Sequence, residues 1–247
     1  MRSLEIKDLK KSFHGQSVLR GINLEIPAGQ ITVIIGGSGT GKSVLLKHIV
    51  GLVRPDSGEI FLDGINLFEL GREEMNQVRM NFGMLFQDAA LFDSMNVFEN
   101  IAFPLRQHRK IGETELREIV KQKLRDINLS GIEEKYPSEL SGGMRKRVGL
   151  ARAIVLDPEV ILYDEPTTGL DPVMAKAIDD LIVSTHQRLK ATTVIISHDI
   201  HSSLRIANKI AMLHDGKVVA EGDPKSFLKS SNRVVTEFFE PVLRRDI

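Results

Sequence analysis

Hydrophobic and polar residues alternate through about the first 30 residues of the chain, and this period of two predicts antiparallel strands with one buried face. The apolar positions that carry the alternation are Leu4, Ile6, Ile22, Leu24 and Ile26. Ile31–Ile35 is instead a continuous β-branched run, which is typical of a strand buried on both faces. The chain therefore opens with antiparallel strands and continues into a more deeply buried sheet.

A helical period replaces the alternation between about residues 90 and 155. Apolar residues recur on one helix face at Leu116, Val120 and Leu124. A second helix is predicted from Ser141 to about Leu156, just before Asp157-Pro158. Strand character returns in three later segments, which are Val160–Tyr163, Thr193–Ser197 and Lys209–Leu213. We therefore predict a helical lobe inserted into an α/β core.

The composition favours one compact unit, with 247 residues of which 42% are hydrophobic and 27% charged. Lys and Arg together number 33, as do Asp and Glu, and this balance argues against a nucleic-acid partner. The chain has no cysteine, which excludes disulfides and thiolate metal sites. No apolar run approaches the ~20 residues of a membrane span, and charges interrupt the N-terminus. We expect a cytoplasmic protein that reaches membranes through a partner.

A glycine-rich segment joins the strand predicted at Ile31–Ile35 to a helix predicted at Lys42–Ile49. It fits the phosphate-loop (Walker A) pattern G-x-x-x-x-G-K-[ST] in the strand–helix context that the pattern requires. Its residues are Gly36, Gly37, Ser38, Gly39, Thr40, Gly41, Lys42 and Ser43. Backbone N–H groups would bind phosphate oxygens of ATP, with Lys42 on the β- and γ-phosphates and Ser43 on Mg²⁺. The alternative is a glycine-rich turn with an incidental lysine.

An apolar strand ending in two acids, Val160–Glu165, is the usual companion of a phosphate loop. Such a strand releases its carboxylates at the carboxyl end of the sheet, where ligands bind. Asp164 would hold Mg²⁺ through its water shell, and Glu165 would orient and activate the attacking water. Alone, the same segment is also compatible with a strand that ends in a solvated acidic turn.

A second glycine-rich helix start lies at Leu140–Gly143. Ser141 suits a helix N-cap, while Gly142 and Gly143 allow a ligand to approach the backbone. One phosphate loop already serves one nucleotide, so a second anion site needs an explanation. The alternative is a capped helix with a flexible entry.

The order GGSGTGKS, Gln87, LSGGM, VILYDE, Gly169-Leu170-Asp171 and His198 resembles the ABC ATPase family over nearly the whole chain. In that family two subunits pack head to tail, and ATP lies between the phosphate loop of one subunit and the LSGG helix start of the other. The resemblance thus implies a homodimer and accounts for the second anion site.

The resemblance implies roles for four more residues. Phe13 matches the aromatic residue that stacks on adenine, and its alternative is core packing. Gln87 matches the glutamine that contacts Mg²⁺ and the attacking water; otherwise it is a surface residue. Asp171 matches the acid that crosses the dimer interface, although it also suits a helix N-cap before Pro172, and both are compatible. His198 matches the histidine that contacts the γ-phosphate, the alternative being a structural role.

Three positions depart from the commonest family pattern: Gly37 replaces proline, Met144 replaces glutamine, and Val44 replaces threonine. Val44 has no hydroxyl for the α-phosphate, but its backbone N–H can still serve. Together with the segment 86–105, these residues look like the maintenance-of-lipid-asymmetry (Mla) group, which moves lipids between membranes in double-membraned bacteria and plastids. That likeness implies phospholipid transport.

The predicted fold is α/β: a phosphate-loop (RecA-like) core with an N-terminal antiparallel β lobe and an inserted helical lobe. The core and β lobe would span 1–88 and 157–230, the helical lobe about 89–156, and a C-terminal extension 231–247. The reaction would be hydrolysis of ATP to ADP and phosphate, with ATP binding closing the dimer and hydrolysis reopening it.

The partners implied are multi-helix permease subunits at the cytoplasmic face of the inner membrane, a small accessory cytoplasmic subunit and a substrate-binding lipid carrier protein. Transport of an amino acid or lipoprotein remains an alternative. A non-transport ABC protein usually carries two cassettes, coiled coils or a basic surface. A phosphate-loop kinase or GTPase has no use for LSGG.

Two apolar segments suggest further contacts. The tail is unusually apolar for a free end, so we expect it to dock on its own core, on the second copy or on a small partner. Its apolar residues are Val234, Val235, Phe238, Phe239, Val242 and Leu243. Residues 88–104 follow Gln87 and would form the surface that couples to the permease. Its apolar residues are Leu91, Phe92, Met95, Val97, Phe98, Ile101 and Phe103.

Overall fold

The computed structural model describes the backbone through Leu243 and the side chains through Glu240. In chain order the elements are β1 (Leu4–Phe13), β2 (Gln16–Ile26), β3 (Ile31–Ile35), α1 (Lys42–Ile49), β4 (Ser57–Leu62), β5 (Ile65–Asn66), α2 (Arg72–Arg79), β6 (Phe82–Leu85), α3 (Val97–His108), α4 (Glu113–Asp126), a 3-10 turn (Pro137–Glu139), α5 (Gly142–Ala153), β7 (Val160–Asp164), α6 (Pro172–Leu189), β8 (Thr192–Ser197), α7 (Ile200–Ile206), β9 (Lys209–His214), β10 (Lys217–Gly222), α8 (Pro224–Leu228) and α9 (Arg233–Leu243).

The described chain divides into two compact units. Unit 1 contains residues 1–79 and the described residues from Ala191 onward, and unit 2 contains residues 80–190. Each unit contains both helices and strands. The domain boundaries expected from the sequence, with a helical lobe at about 89–156, remain a prediction.

Unit 1 holds both kinds of sheet that the N-terminal pattern predicted. Strands β1, β2, β4 and β5 form an antiparallel sheet in the order β2-β1-β4-β5. Strand β3 runs parallel to β8 on one side and to β9 on the other. It is fully buried, which suits a strand whose five residues are all apolar or β-branched. Strand β10 adds to β9 in the antiparallel sense. The α/β fold with an N-terminal antiparallel sheet is confirmed.

Unit 2 contains the parallel pair β6 and β7, and helices α3 to α6. Helix α5 packs against α3, α4 and β6, so it lies at the centre of this unit. Glycine allows the close contacts: a Cβ on Gly149 would lie 2.9 Å from the Ala89 Cβ, and one on Gly83 would lie 2.4 Å from the Ala153 carbonyl oxygen. The predicted helix from Ser141 to about Leu156 is shorter in the structure and ends at Ala153.

The tail folds back on unit 1. Helix α9 packs against α7, and its residues Val235 and Phe239 are each 1% exposed. The Phe239 ring lies 6.0 Å from the Phe227 ring of α8. The tail was expected to dock on its own core, on a second copy or on a small partner. Val235 and Phe239 pack on the chain's own core. The side chains of Val242 and Leu243 lie outside the described residues.

Within the described residues, every helix is too short or too polar to span a lipid bilayer.

Candidate functional site

The phosphate loop connects β3 to α1 and ends in a helix start without a side-chain cap in the described part of the chain. The N-cap is Gly41, whose φ of 99° lies in the left-handed region. No acidic residue stands in the first turn of α1, so nothing there repels an anion. Backbone N–H groups at such a helix start are therefore suited to phosphate oxygens.

Two glycines of this loop are required by close contacts. A Cβ on Gly36 would lie 2.2 Å from the Leu213 carbonyl oxygen, and a Cβ on Gly41 would lie 2.9 Å from Leu19 Cδ2. Distances below 3.0 Å cannot be accommodated without displacement, and at Leu213 the obstacle is backbone. The loop thus runs directly over β9 and β2, and only glycine fits at both crossings.

Lys42 is 7% exposed, and its ammonium lies inside the loop. Its Nζ donates to the carbonyl oxygens of Gly36 and Gly37, both at 2.8 Å. The Thr40 hydroxyl donates to the same Gly37 carbonyl at 3.0 Å. These bonds hold the loop in a compact turn. Of the other predicted loop residues, Ser38 and Gly39 are exposed, and Ser43 and Val44 are half-buried.

His198 lies at the same sheet end as the phosphate loop. Ile35 of β3 is paired with Ser197 of β8 in the parallel register, so the residues that follow them leave the sheet side by side. His198 is exposed there, between the end of β8 and the cap of α7. His198 and the phosphate loop therefore follow paired strands at the same end of the sheet, and contact between His198 and a γ-phosphate stays a prediction.

Phe13 is at the end of β1, and 40% of its surface is exposed. The Lys11 ammonium lies 5.4 Å from the centre of its ring. This exposure argues against the alternative that Phe13 packs in the core. Its ring is accessible to a planar ligand, although stacking on adenine remains a prediction.

In unit 2, Gln87 and the paired acids emerge at one edge of the sheet. Leu85 of β6 pairs with Tyr163 of β7 in the parallel register, so Gln87 follows β6 and Asp164 ends β7 at neighbouring carboxyl ends. Asp164 is 7% exposed and Gln87 is exposed. Burial raises the pKa of the neighbouring Tyr163 phenol well above its usual range, so this hydroxyl stays neutral.

Glu165 occupies a turn rather than the strand. Its φ of 49° is left-handed, which costs a residue with a side chain about 1–3 kcal/mol. The Thr168 hydroxyl donates to Glu165 Oε2 at 3.2 Å, and the Thr168 N–H donates to the Glu165 carbonyl at 3.3 Å. The carboxylate is half-buried and held from within its own turn.

The second glycine-rich helix start differs from the first because Ser141 caps it. The Ser141 hydroxyl accepts a hydrogen bond from the Met144 N–H at 3.3 Å. A Cβ on Gly143 would lie 2.6 Å from Met174 Cε, so the start of α5 lies against the start of α6. Gly142 is half-buried beside it.

Asp171 caps α6, accepting from the N–H groups of Val173 and Met174, both at 3.0 Å. The N-cap interpretation is confirmed. A role at a dimer interface stays a prediction.

Sequence reasoning missed a polar cluster that fixes the loop after Gln87. Arg152 of α5 donates to the Ala89 carbonyl at 2.8 Å, and the side-chain amide of Asn100 donates to the carbonyls of Phe92 and Met95 at 3.1 and 3.0 Å. Ala89 and Ala90 have left-handed φ values of 62° and 47°. The available sequence signal was an asparagine within the apolar run VFENIAFPL, and in the structure this Asn100 is fully buried.

A family model described as "ABC transporter" matches residues 19–168 of the chain. The chain belongs to the ABC transporter family. The match covers more than half of the sequence and includes the phosphate loop, the LSGG helix start and the acids after β7.

Two relatives with assigned names are similar to this ABC chain. It is 45% identical to "Probable ribonucleotide transport ATP-binding protein mkl" of Mycobacterium leprae over 96% of this chain, and it spans 68% of that relative's length. It is 41% identical to "Intermembrane phospholipid transport system ATP-binding protein MlaF" of Haemophilus influenzae, over 96% of this chain and 90% of that protein.

A solved structure shares the fold: a dimeric ATP-binding cassette in a post-hydrolysis state bound to ADP and Pi. The TM-score is 0.82 at 30% identity, over 90% of this chain and 98% of that one. The predicted recognition, fold and reaction class are confirmed. This is an ABC-type ATP-binding subunit, and its reaction is ATP hydrolysis.

Proposed function

We propose that this ABC subunit energises phospholipid movement through a partner permease. The observation that carries the proposal is the similarity to MlaF, a named phospholipid transport ATP-binding protein, over at least nine tenths of both chains. A second candidate substrate is a ribonucleotide, because the mycobacterial relative is named for ribonucleotide transport. The chain is 45% identical to the first relative and 41% identical to the second, and this small difference does not favour either substrate. Gly37, Val44 and Met144 are positions at which the sequence resembles the lipid-transport group.

ATP would be held mainly by the phosphate loop. The N–H groups at the start of α1 and the Lys42 ammonium supply positive charge for the β- and γ-phosphates. Phe13 offers an exposed ring for adenine. His198 would donate to a γ-phosphate oxygen, and its position after β8, which pairs with the strand that leads into the loop, supports that role.

The residues expected to contact Mg²⁺ are Ser43, Gln87 and Asp164, and their hydroxyl, amide oxygen and carboxylate are hard ligands of the kind that this ion prefers. Within the described residues no cluster of three or more His, Cys, Asp or Glu could enclose a metal ion. Such a donor set suits an ion that is bound largely through phosphates. When bound, the ion would neutralise charge that develops on the phosphate oxygens.

Glu165 would act as general base. Its carboxylate accepts a proton from water as the water oxygen bonds to the γ-phosphorus, and the bond from that phosphorus to the ADP oxygen breaks. The Thr168 hydroxyl holds the carboxylate in one orientation. Glu165→Gln keeps the shape but cannot take the proton, so kcat should fall about 10²–10⁴-fold while ATP still binds. Turnover near the wild-type rate would refute this role.

The permease would dock on the loop and helix at 88–104. Phe92 is 42% exposed there, and its ring lies 5.1 Å from that of Phe103. Val97, Phe98 and Ile101 are buried within unit 2, so they support the surface rather than form it. The matching charge control is Ile65, which is 45% exposed on β5. Phe92→Glu should weaken permease capture, whereas Ile65→Glu should not.

The complete machine would contain two copies of this chain, the permease, a small accessory subunit and a lipid carrier protein, at the cytoplasmic face of the inner membrane. The deciding experiment purifies the intact complex and identifies the ligand that co-purifies by mass spectrometry. Transfer of labelled phospholipid between vesicles by the reconstituted complex should require ATP. Recovery of a ribonucleotide without lipid transfer would favour the second candidate and leave the ATPase assignment intact.

A further inference from the structure

Lys146 is a buried lysine of α5 for which the roles above have no use. It is 7% exposed. Its Nζ donates to the Pro166 carbonyl oxygen at 2.8 Å and to the Thr168 carbonyl oxygen at 2.6 Å. Both bonds cross from the middle of α5 to the turn that follows β7. A lysine turned inward in this way serves the protein's own backbone, not a ligand.

The turn that Lys146 holds is the one that carries Glu165. Thr168, whose carbonyl accepts from Lys146, donates its hydroxyl to Glu165 Oε2 at 3.2 Å. A continuous path of hydrogen bonds therefore leads from α5 to the carboxylate. Glu165 itself has a left-handed φ, a conformation that persists only where surrounding contacts hold it.

The charges around the ammonium are consistent with this placement. Burial lowers the pKa of Lys146, and the carboxylates of Asp88 and Glu165 act in the opposite direction. Asp88 lies in the loop after β6, and Glu165 lies in the turn after β7. The Lys146 ammonium therefore interacts with one acid from each of these two segments.

We propose that Lys146 is a positioning residue that fixes the turn of Glu165 to helix α5. Because α5 begins at Ser141, the second glycine-rich helix start and the base would then be parts of one rigid body. The inference rests on the role proposed for Glu165. Loss of the two Lys146 bonds would let the base drift, and misplacement of about 1 Å can cost on the order of 100-fold in rate.

Lys123 provides a matched control. It is a second buried lysine of unit 2, 6% exposed, and it pairs with Asp157. Asp157 precedes β7, whereas Glu165 follows the opposite end of that strand. Lys123→Met and Lys146→Met each remove one buried ammonium and keep the apolar stem. A general loss of stability should affect both variants alike, whereas loss of positioning should affect only the second.

The experiment measures kcat, the KM for ATP, binding of a fluorescent ATP analogue and Tm for the full chain and each variant. Lys146→Met should lower kcat about 10–100-fold with KM and analogue binding within about twofold of wild type. Lys146→Gln, whose amide keeps two N–H donors, should recover at least half of that loss on a logarithmic scale. Lys123→Met should keep the wild-type kcat.

The proposal is overturned if Lys146→Met retains kcat within about twofold, if Lys146→Gln is no more active than Lys146→Met, or if Lys123→Met loses as much. Thr168→Val serves if Lys146→Met does not fold, because it removes the bond to Glu165 without touching the lysine; an unchanged kcat there also overturns the proposal. Wild-type turnover by Glu165→Gln would instead refute the role of the base.

Discussion

The two glycine-rich helix starts of this chain look alike in sequence and differ in structure. The start of α1 has no side-chain cap among the described residues and has Lys42 folded into its loop. The start of α5 is capped by Ser141, and its nearest buried lysine, Lys146, bonds to Pro166 and Thr168 instead. Neither first turn contains an acid, so both tolerate an anion.

The difference indicates that the two helix starts have different tasks in nucleotide binding. The first start has cationic and backbone donors for a whole triphosphate, so it can hold a nucleotide by itself. The second has a small hydroxyl, glycines and a helix dipole, which suit one phosphate group already held elsewhere. A binding site that is strong on one side and weak on the other is the arrangement expected when two copies share a nucleotide.

The largest effect should come from the first start. Lys42→Ala removes charge-assisted hydrogen bonds to phosphate worth about 1.5–3 kcal/mol each, so ATP affinity should fall at least ~10-fold for one such bond and ~100-fold or more for two. Hydrolysis should stop. Calorimetry with ATP checks the affinity, and Lys47→Ala, an exposed lysine of the same helix, is the control. Equal ATP affinity in both variants would place the strong site elsewhere.

Ser141→Arg should abolish turnover in a different way, because bulk at the second start blocks the γ-phosphate while the same chain's own phosphate loop stays intact. A mixed dimer of Ser141→Arg and Lys42→Ala subunits has one site with both defects and one with neither. It should therefore recover partial activity. ATPase rates of each pure variant and of a verified mixed dimer test this. No recovery would contradict sharing of the site between copies.

A smaller effect is expected at Asp171, which caps α6. Asp171→Ala should cost about 1 kcal/mol of stability, or about 2–4 °C in Tm, because the cap is lost. Asp171→Ser keeps a capping hydroxyl and should keep Tm. If the carboxylate also crosses the dimer interface, the Ser variant should hydrolyse ATP more slowly at unchanged Tm. Wild-type rates in Asp171→Ser would limit the residue to capping.

The smallest effect should follow from Val44→Thr, which restores a hydroxyl beside the first start at nearly constant volume. One neutral hydrogen bond contributes about 0.5–1.5 kcal/mol, so ATP affinity should rise by no more than ~10-fold. Competition with a fluorescent analogue measures this. A larger change would mean that Val44 does more than fill space.

Local signals in the sequence were sufficient for the strand and helix that flank the phosphate loop. Ile31–Ile35 and Lys42–Ile49 were predicted at the bounds of β3 and α1, because a continuous β-branched run and a phosphate loop leave little choice. Asp-Gly pairs are a local signal for hairpin turns, and the pairs Asp63-Gly64 and Asp215-Gly216 join strands with left-handed φ values at both aspartates.

Contacts between distant segments could not be predicted from the sequence. Helix α2 has no buried residue, and Met75 and Val78 are its only apolar side chains, which is a weak sequence signal. Lys146 lies in a basic run, Arg145–Arg147, that resembles a solvated face. Only the fold shows that its ammonium turns toward carbonyls 20 and 22 residues away. That His198 and the phosphate loop follow paired strands likewise depends on strand order.

The position of Lys42 also bears on which molecules the loop admits. Its ammonium already donates to the carbonyls of Gly36 and Gly37. A ligand can replace these hydrogen bonds only if its own oxygens are stronger acceptors than the carbonyls. The oxygens of a triphosphate do so, because bonds between two ions exceed those to neutral carbonyls. Adenosine offers no such exchange and gains only ring contacts. Selectivity against unphosphorylated nucleosides is thus a property of the loop's own hydrogen bonds.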